Sequence, residues 1–422
     1  MHKYDLLICG GGTAGVSAGY IASKYGIKTL IVEKNIHLGG SITSALVIPV
    51  MKSNSKNINC EFYDDFINEM KEYNAQVTYT DGNSGWFNPE LAKIALDSML
   101  KKVGCDVLYD SEVKSANYFD NHVNYVEICS KVLSIHIESL YYLDTTGDGN
   151  FSTILKNKIL DNNSTRQPLT LRFNVSGINL EIFADWITNL DKDRNVTTSS
   201  FIDGQVHMST AYTWDSDKNW ALRPIFDKAV LNGDLKDTDS AYFQLFTIPG
   251  MPNTISLNCP RIAADADIDP LNPFEFSRAM IIAREQIWRI YLFMKKYFPG
   301  FENSYISNIA DMSGIRESRR VEGQYIYTTD DILSGKTYSN PVLHGDYPID
   351  IHSYKKNDST LEEKRIDYEL PITALKLKDF DNVFVAGRCL SADFKAQAAL
   401  RVQKSCFSMG EAVAKHIATI LR

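Results

Sequence analysis

Two groups of residues in this chain have types and spacings suited to chemistry. The first is a glycine series, Gly10, Gly12 and Gly15, standing directly after the apolar run Tyr4 to Cys9. In such a series the first glycine permits a tight turn, the second lets a pyrophosphate approach the backbone, and the third lets helix and strand pack closely. Free N–H groups at the start of the following helix then face the phosphates. The second group is YPIDIH, where Asp350 and His352 stand two apart and project from one face of an extended chain. A carboxylate beside an imidazole orients it and raises its basicity, as general-base chemistry needs, although a surface ion pair has the same spacing. Arg316, in GIRESRR, and Arg401, near the expected start of the last helix, each have two readings: a group that binds a carboxylate, or a structural salt-bridge partner. For Arg319 and Arg320 the structural one is favoured.

These residues need elements to position them. The segment after Cys9 has helical periodicity through Val16, Tyr20 and Ile21, and a second buried strand, Lys28 to Val32, ends in Glu33. That is close to the offset at which a carboxylate meets the ribose hydroxyls of an adenosine, so strand, glycine turn, helix, strand and acid follow in order. This cradle alone suits FAD and NAD equally. Gly39 and Gly40, in EKNIHLGGSITSA, offer a second backbone approach to a pyrophosphate or a plain turn. A helix is expected at about 88–103, then β-rich stretches at 106–109, 113–119, 123–129, 132–137 and 139–143, the last leading into the turn DTTGDGN. Near the C-terminus an apolar strand, Val383 to Ala386, runs into Gly387, a polar loop and a long amphipathic helix starting near Ala398 to Arg401. Between them lie a β-like LRFNV at 171–175, another stretch around 242–257, and a helix at about 273–297. On that helix Phe276, Met280, Ile287, Tyr291 and Met294 form a stripe expected to be core.

The bulk properties narrow the partners. The length of 422 residues suggests two or three compact units, and 44% hydrophobic with 23% charged residues is ordinary globular composition. The net charge of -8 is scattered, with no basic stripe, which argues against nucleic acid and for a small-molecule substrate. No apolar run is long enough to span a bilayer and no signal-peptide pattern opens the chain, so a cytoplasmic protein is expected. Seven cysteines show no CxxC pair, zinc knuckle or cluster-binding run, and no metal site is expected.

Taken together, GGGTAG, EKNIHLGG, WFNPELAKIALDSML, DTTGDG, GIRESRR, YPIDIH and VAGRCLSAD followed by RVQKSCFSMG resemble the FAD-dependent oxidoreductase family of bacteria, a group of two-dinucleotide-binding-domain flavoproteins. The resemblance covers both ends of the chain and touches its middle. It implies FAD as cofactor and an α/β fold: a Rossmann-like FAD-binding domain with a parallel sheet, built from 1–160 and 371–422, plus a mixed α+β substrate or cap domain at 161–370. It further implies cofactor contacts at Gly10, Gly12, Thr13, Ala14, Gly15, Glu33, Lys34, Gly39, Gly40, Ser41, Val113, Thr146, Gly147, Asp148, Gly387, Arg388 and Val402. Many flavoproteins carry an acid where Arg388 stands, but Gly-Arg-Cys is usual in this family. With a flavin present, the expected catalytic set is His352 as base, Asp350 orienting it, and Arg316 and Arg401 near the substrate or the reduced ring. The expected reaction is hydride transfer to or from the flavin N5, with an unknown electron acceptor or donor. Rival readings are a flavin-bearing electron-transfer or scaffold subunit, an NAD-dependent dehydrogenase using only the first βαβ unit, and a flavin enzyme modifying RNA.

Overall fold

The structure, a computed structural model, describes residues 2–52, 58–160, 166–214, 218–262, 268–352, 360–361 and 366–422. The chain opens with β1 (His2–Cys9), α1 (Thr13–Lys24) and β2 (Thr29–Val32). In β1, Leu6 and Ile8 face one core while Leu7 and Cys9 face another, so both sides of the strand are covered and its sequence is a continuous apolar run. After α2 (Pro89–Val103) come β3 (Asp106–Leu108), β4 (Glu112–Phe119), β5 (His122–Ser130) and β6 (Leu133–Asp144). α2 starts where Asn88 accepts hydrogen bonds from the N–H groups of Glu90 and Leu91, with Pro89 in the first turn, and it ends at Gly104 in the left-handed region.

The second unit is an antiparallel sheet of β7 (Phe173–Ser176), β8 (Thr198–Ile202), β9 (Gln205–Thr213), β10 (Tyr242–Thr247), β11 (Thr254–Leu257) and, after the helix α3 (Pro273–Tyr297), β12 (Tyr305–Ile309). Its order is β8-β9-β10-β11-β7-β12. α3 is opened by Asn272 in the same way as α2 by Asn88, and Ile287, Tyr291 and Met294 of its stripe are buried in this unit's core, with Phe276 and Met280 packed at the margin.

The chain then returns to the first sheet through β13 (Val383–Val385) and ends in α4 (Phe394–Leu400) and α5 (Gln403–Leu421). The first sheet has the parallel order β3-β2-β1-β6; on the far edge of β6, β5 pairs antiparallel along the first half and β13 parallel along the end. One strand, β6, thus replaces the two stretches expected at 132–143, because its halves serve different neighbours without a break. α5 crosses α1 so closely that a Cβ on Gly410 would stand 2.0 Å from the Ala14 carbonyl oxygen. The Ser17 hydroxyl also donates to the Phe407 carbonyl at 2.7 Å.

Long-range packing shapes two further stretches. Tyr327, Ile332, Leu343, Tyr368 and Leu370 join the core that also holds Leu6, Ile8 and Ile31 of the parallel sheet. The return begins where Arg320 and Val321 pair with Leu160 and Ile159, and isolated apolar residues in an irregular segment carry no period that shows which core they join. The last helix is also broken. Asp393 caps α4 by accepting from the Ala396 N–H at 2.8 Å, Val402 is extended, and α5 begins only at Gln403, which puts Arg401 at a joint between helices.

Candidate active site

Register brings the sequence motifs together. Cys9 pairs with Val32 and with Asp144, and Asp144 with Val385, so the four parallel strands end in one row. The Gly10 turn, Glu33, the Thr146–Asp148 turn and Gly387–Arg388 therefore all leave from the same edge, where open α/β sheets hold their ligands. Gly10 takes a φ of 103° that suits only glycine, and its N–H donates to the Val32 carbonyl at 2.8 Å. A Cβ on Gly15 would stand 2.0 Å from the Gly10 carbonyl oxygen, whereas one on Gly12 would meet nothing closer than 3.9 Å. Gly39 and Gly40 pack on this turn: the Gly39 N–H donates to the Gly11 carbonyl at 2.8 Å, and the hydroxyls of Thr13 and Ser41 are 3.0 Å apart.

Glu33 is buried, one carboxylate oxygen accepting from the Gly11 N–H at 2.7 Å and the other from the backbone and side chain of Asn35 at 2.8 and 2.7 Å. Lys34 beside it is exposed. Val113, half-buried, follows Ser111, whose N–H donates to the Glu33 carbonyl at 3.0 Å. Thr146 turns inward, its hydroxyl 2.7 Å from Asp144. Arg388 is not alone in its turn, since its Nη2 donates to Asp148 Oδ1 at 2.7 Å and Ser318 donates to the same oxygen at 2.6 Å. Burial acts to raise the Asp148 carboxyl, but Arg388, Ser318 and Lys34 outweigh it and hold the group below its usual range. Asp148 thus places a carboxylate directly opposite Arg388. Ala14 faces Gly387, 3.4 Å from where a Cβ on that glycine would stand, and Val402 is joined to the Ser41 segment through Gln403, whose side chain donates to the Val47 carbonyl at 2.6 Å.

The four catalytic candidates form a second cluster. His352 Nε2 lies 3.2 Å from Asp350 Oδ2, and Arg401 Nη2 donates to the Asp350 carbonyl at 3.0 Å and lies 3.7 Å from the same carboxylate oxygen. Arg316 Nη1 donates to the Pro168 carbonyl at 2.6 Å and to Thr170 Oγ1 at 3.0 Å. Burial acts to raise Asp350, but His352, Arg401 and Arg316 hold it far below the usual carboxylate range. Burial, then repulsion from Arg401 and Arg261, pushes Arg316 down to about 9.

His352 is engaged at both ring nitrogens. Arg261 Nη2 is 2.9 Å from His352 Nδ1, and a guanidinium only donates, so Nδ1 accepts and the ring proton sits on Nε2, facing Asp350. Neither ring nitrogen keeps a free lone pair in this arrangement. His352 holds Asp350 and Arg261 in place, and it would take a proton only after its contact with Arg261 was exchanged.

Arg261 escaped the sequence reading, as did Tyr242, whose ring lies 4.3 Å beneath that guanidinium, and Tyr347, whose phenol is raised first by burial and also by its hydrogen bond to Asp350. Gln397 was missed as well; its side-chain amide donates to the carbonyls of Arg316 at 3.1 Å and Arg388 at 3.2 Å, joining the two clusters. A charged residue between Pro260 and Ile262 was the one available signal for Arg261. Cys389 and Cys406 are buried, and burial raises both thiols, Cys406 to about 12, so they pack rather than react.

The histidine has a measurable signature. Burial, followed by the charge of Arg316, lowers His352 to about 3. Between pH 6.5 and about 3 the unfolded chain then carries a proton on this ring that the folded one refuses, so this group makes stability fall as pH falls. His352→Asn is expected to flatten the stability-versus-pH slope there by up to about 1.4 kcal/mol per pH unit. Urea denaturation at pH 6.5, 5.5 and 4.5 measures it; identical slopes would contradict the neutral, partly buried ring.

A parallel sheet with glycine turns along its carboxyl edge is the arrangement that holds a dinucleotide. The chain belongs to the family described as FAD dependent oxidoreductase, which it matches over residues 5–422. It is an enzyme of that family, and its cofactor is FAD. The digeranylgeranylglycerophospholipid reductase of Methanococcus vannielii is 39% identical over 66 residues, 16% of this chain and 17% of that protein. The thiamine thiazole synthase of Pyrococcus furiosus is 26% identical over 160 residues, 35% of this chain and 58% of that one. The matched region thus spans less than two thirds of either relative. The structure of the flavin-dependent brominase Bmp2 aligns with a TM-score of 0.50 at 12% identity, over 99% of this chain and 79% of that one, a likeness of fold alone. The cradle suits the cofactor on two counts of its own: backbone at Gly12 is open to close approach, and Arg388 Nη1 is buried with no hydrogen-bond partner among the described residues. No helix among those residues is long and apolar enough to cross a membrane.

Proposed function

We propose that this oxidoreductase exchanges a hydride between a small molecule and the flavin N5, the substrate lying at the Asp350–His352 cluster between the two sheets. FAD, when bound, supplies the two-electron acceptor or donor. The residues proposed to hold it are those of the strand-end row and of the segments that flank it: Gly10, Gly12, Thr13, Ala14, Gly15, Glu33, Lys34, Gly39, Gly40, Ser41, Val113, Thr146, Gly147, Asp148, Gly387, Arg388 and Val402. The parallel sheet is proposed as the cofactor unit and the antiparallel sheet as the substrate cap.

The observation that carries this reading is Gln397. By donating to both Arg316 and Arg388 it makes the charged cluster and the third glycine turn one assembly. Chemistry at a flavin requires a substrate held against the cofactor with its charge compensated. Asp350, only 15% exposed, orients Arg401 and His352, and Arg401 with Arg388 supplies positive charge on the side facing the last helix. His352 acts as a positioning residue in the resting geometry and as the candidate proton acceptor once Arg261 is exchanged for substrate.

The test is anaerobic bleaching of the flavin band by candidate substrates in His352→Asn. FAD content is expected to stay at the parent level while bleaching slows by roughly a hundredfold or more. An unchanged rate would remove the histidine from the mechanism. Bleaching of the parent by a protein partner and by no small molecule would favour the electron-transfer subunit instead.

A further inference from the structure

The charge balance of the second cluster is uneven. Arg316 and Arg401 share one described carboxylate, Asp350, which His352 already engages at 3.2 Å. Arg316 makes its hydrogen bonds to neutral oxygens alone among the described residues, the Pro168 carbonyl at 2.6 Å and the Thr170 hydroxyl at 3.0 Å. Arg401 donates to a backbone carbonyl, and its Nε is buried with no partner among the described residues. Their mutual repulsion helps depress Arg316, which an anion placed between them would relieve. Sequestered guanidinium groups are costly unless paired, and their planar forks match planar oxyanions.

We propose that Arg316 and Arg401 bind a carboxylate group of the substrate, so that the reaction proposed above is carried out on a small organic acid. This rests on the reading of the cluster as the substrate site. Three guanidinium groups, Arg261, Arg316 and Arg401, against the one described carboxylate Asp350 leave the cluster positive, which suits an anionic substrate group, and of the common oxyanions the carboxylate is the planar one. Half-buried Tyr242 and Tyr347, whose phenols are raised above their ordinary value by desolvation, line the same cluster and suit an organic body attached to that carboxylate. The Asp350–His352 pair then holds Arg401 and Arg261 in register, which accounts for an acid so close to a site meant for anions.

The test is titration calorimetry of the FAD-loaded protein with acetate, pyruvate and succinate, and separately with inorganic phosphate. At least one carboxylate is expected to bind, with affinity reduced roughly tenfold or more in Arg316→Lys and in Arg401→Lys, which keep the charge but lose the fork. Arg284→Gln, on the exposed face of α3, is expected to bind as the parent does. Thermal midpoints report whether each variant is folded; if Arg316→Lys is not, Arg401→Lys decides alone. Absence of carboxylate binding, equal affinity in the lysine variants, or binding of phosphate in its place would overturn the proposal. Flavin content measured on the same samples separates the two claims. Full flavin without carboxylate binding refutes the arginine pair, whereas carboxylate binding lost in both lysine variants but indifferent to flavin removal and never bleaching the flavin upholds the pair and refutes the oxidoreductase site.

Discussion

Gly15→Val is expected to yield a protein that retains no FAD and is destabilised by about 3 kcal/mol or more, the upper end of what overpacking costs. The new Cβ would stand 2.0 Å from the Gly10 carbonyl oxygen and 2.8 Å from Thr145 Oγ1. Neither neighbour can yield cheaply. Gly10 is tied to Val32 at 2.8 Å, and Thr145 is tied to the carbonyls of Cys9 and Gly10 at 2.9 and 2.6 Å. Relief must come from moving α1 off the strand ends, which turns its first N–H groups away from the phosphates. Gly12→Ala is the contrast. Its Cβ would meet nothing nearer than 3.9 Å and its backbone φ of -72° suits alanine, so stability should change by less than about 0.5 kcal/mol. FAD affinity should nevertheless fall roughly tenfold or more, because the methyl lies where the pyrophosphate is proposed to approach. Urea denaturation and cofactor titration read the two effects apart, and a Gly12→Ala protein with parental affinity would contradict the assigned turn.

Asp350→Asn is the second large effect. The side chain keeps its shape and loses the charge that faces His352, Arg401 and Arg316, leaving partly buried guanidinium groups without a described counter-ion. Removing one partner of a buried pair costs about 3–5 kcal/mol, because the remaining charge is stranded. The loss should be largest near neutral pH. Asp350 titrates far below its ordinary value, so its contribution is present above the unfolded carboxylate range and disappears as pH falls through the folded value. Parent and variant stabilities should therefore converge as the solution is acidified. A variant as stable as the parent at pH 7 would mean that the cluster is not electrostatically coupled.

The parts legible in the sequence are those fixed by local rules. Gly10, Gly12, Gly15 and Glu33 announce themselves because a turn, a helix start and a strand end all lie within one βαβ unit. The α3 boundaries follow from Asn272, Pro273 and a regular stripe. Asp350 and His352 come together because an extended chain repeats every two residues. The partners that decide their chemistry do not lie nearby in sequence. Arg261 reaches His352 from the short strand Arg261–Ile262, which pairs with Leu169–Thr170, and Gln397 reaches Arg316 from a short helix whose break at Arg401 no periodicity signals. An imidazole that looks free in YPIDIH is, in the fold, held at both nitrogens. The return of residues 321–370 to the parallel sheet was hidden for the same reason: long-range packing, rather than pattern, decides which core Tyr327 or Leu343 enters.

The most direct test of the central claim is the visible spectrum of the purified protein before and after denaturation, with the released chromophore identified. A flavin spectrum in the folded protein, and FAD as the sole chromophore released, is the expected result. A colourless protein that cannot be reconstituted with FAD would contradict the cofactor, the strand-end cradle and the hydride transfer built on them.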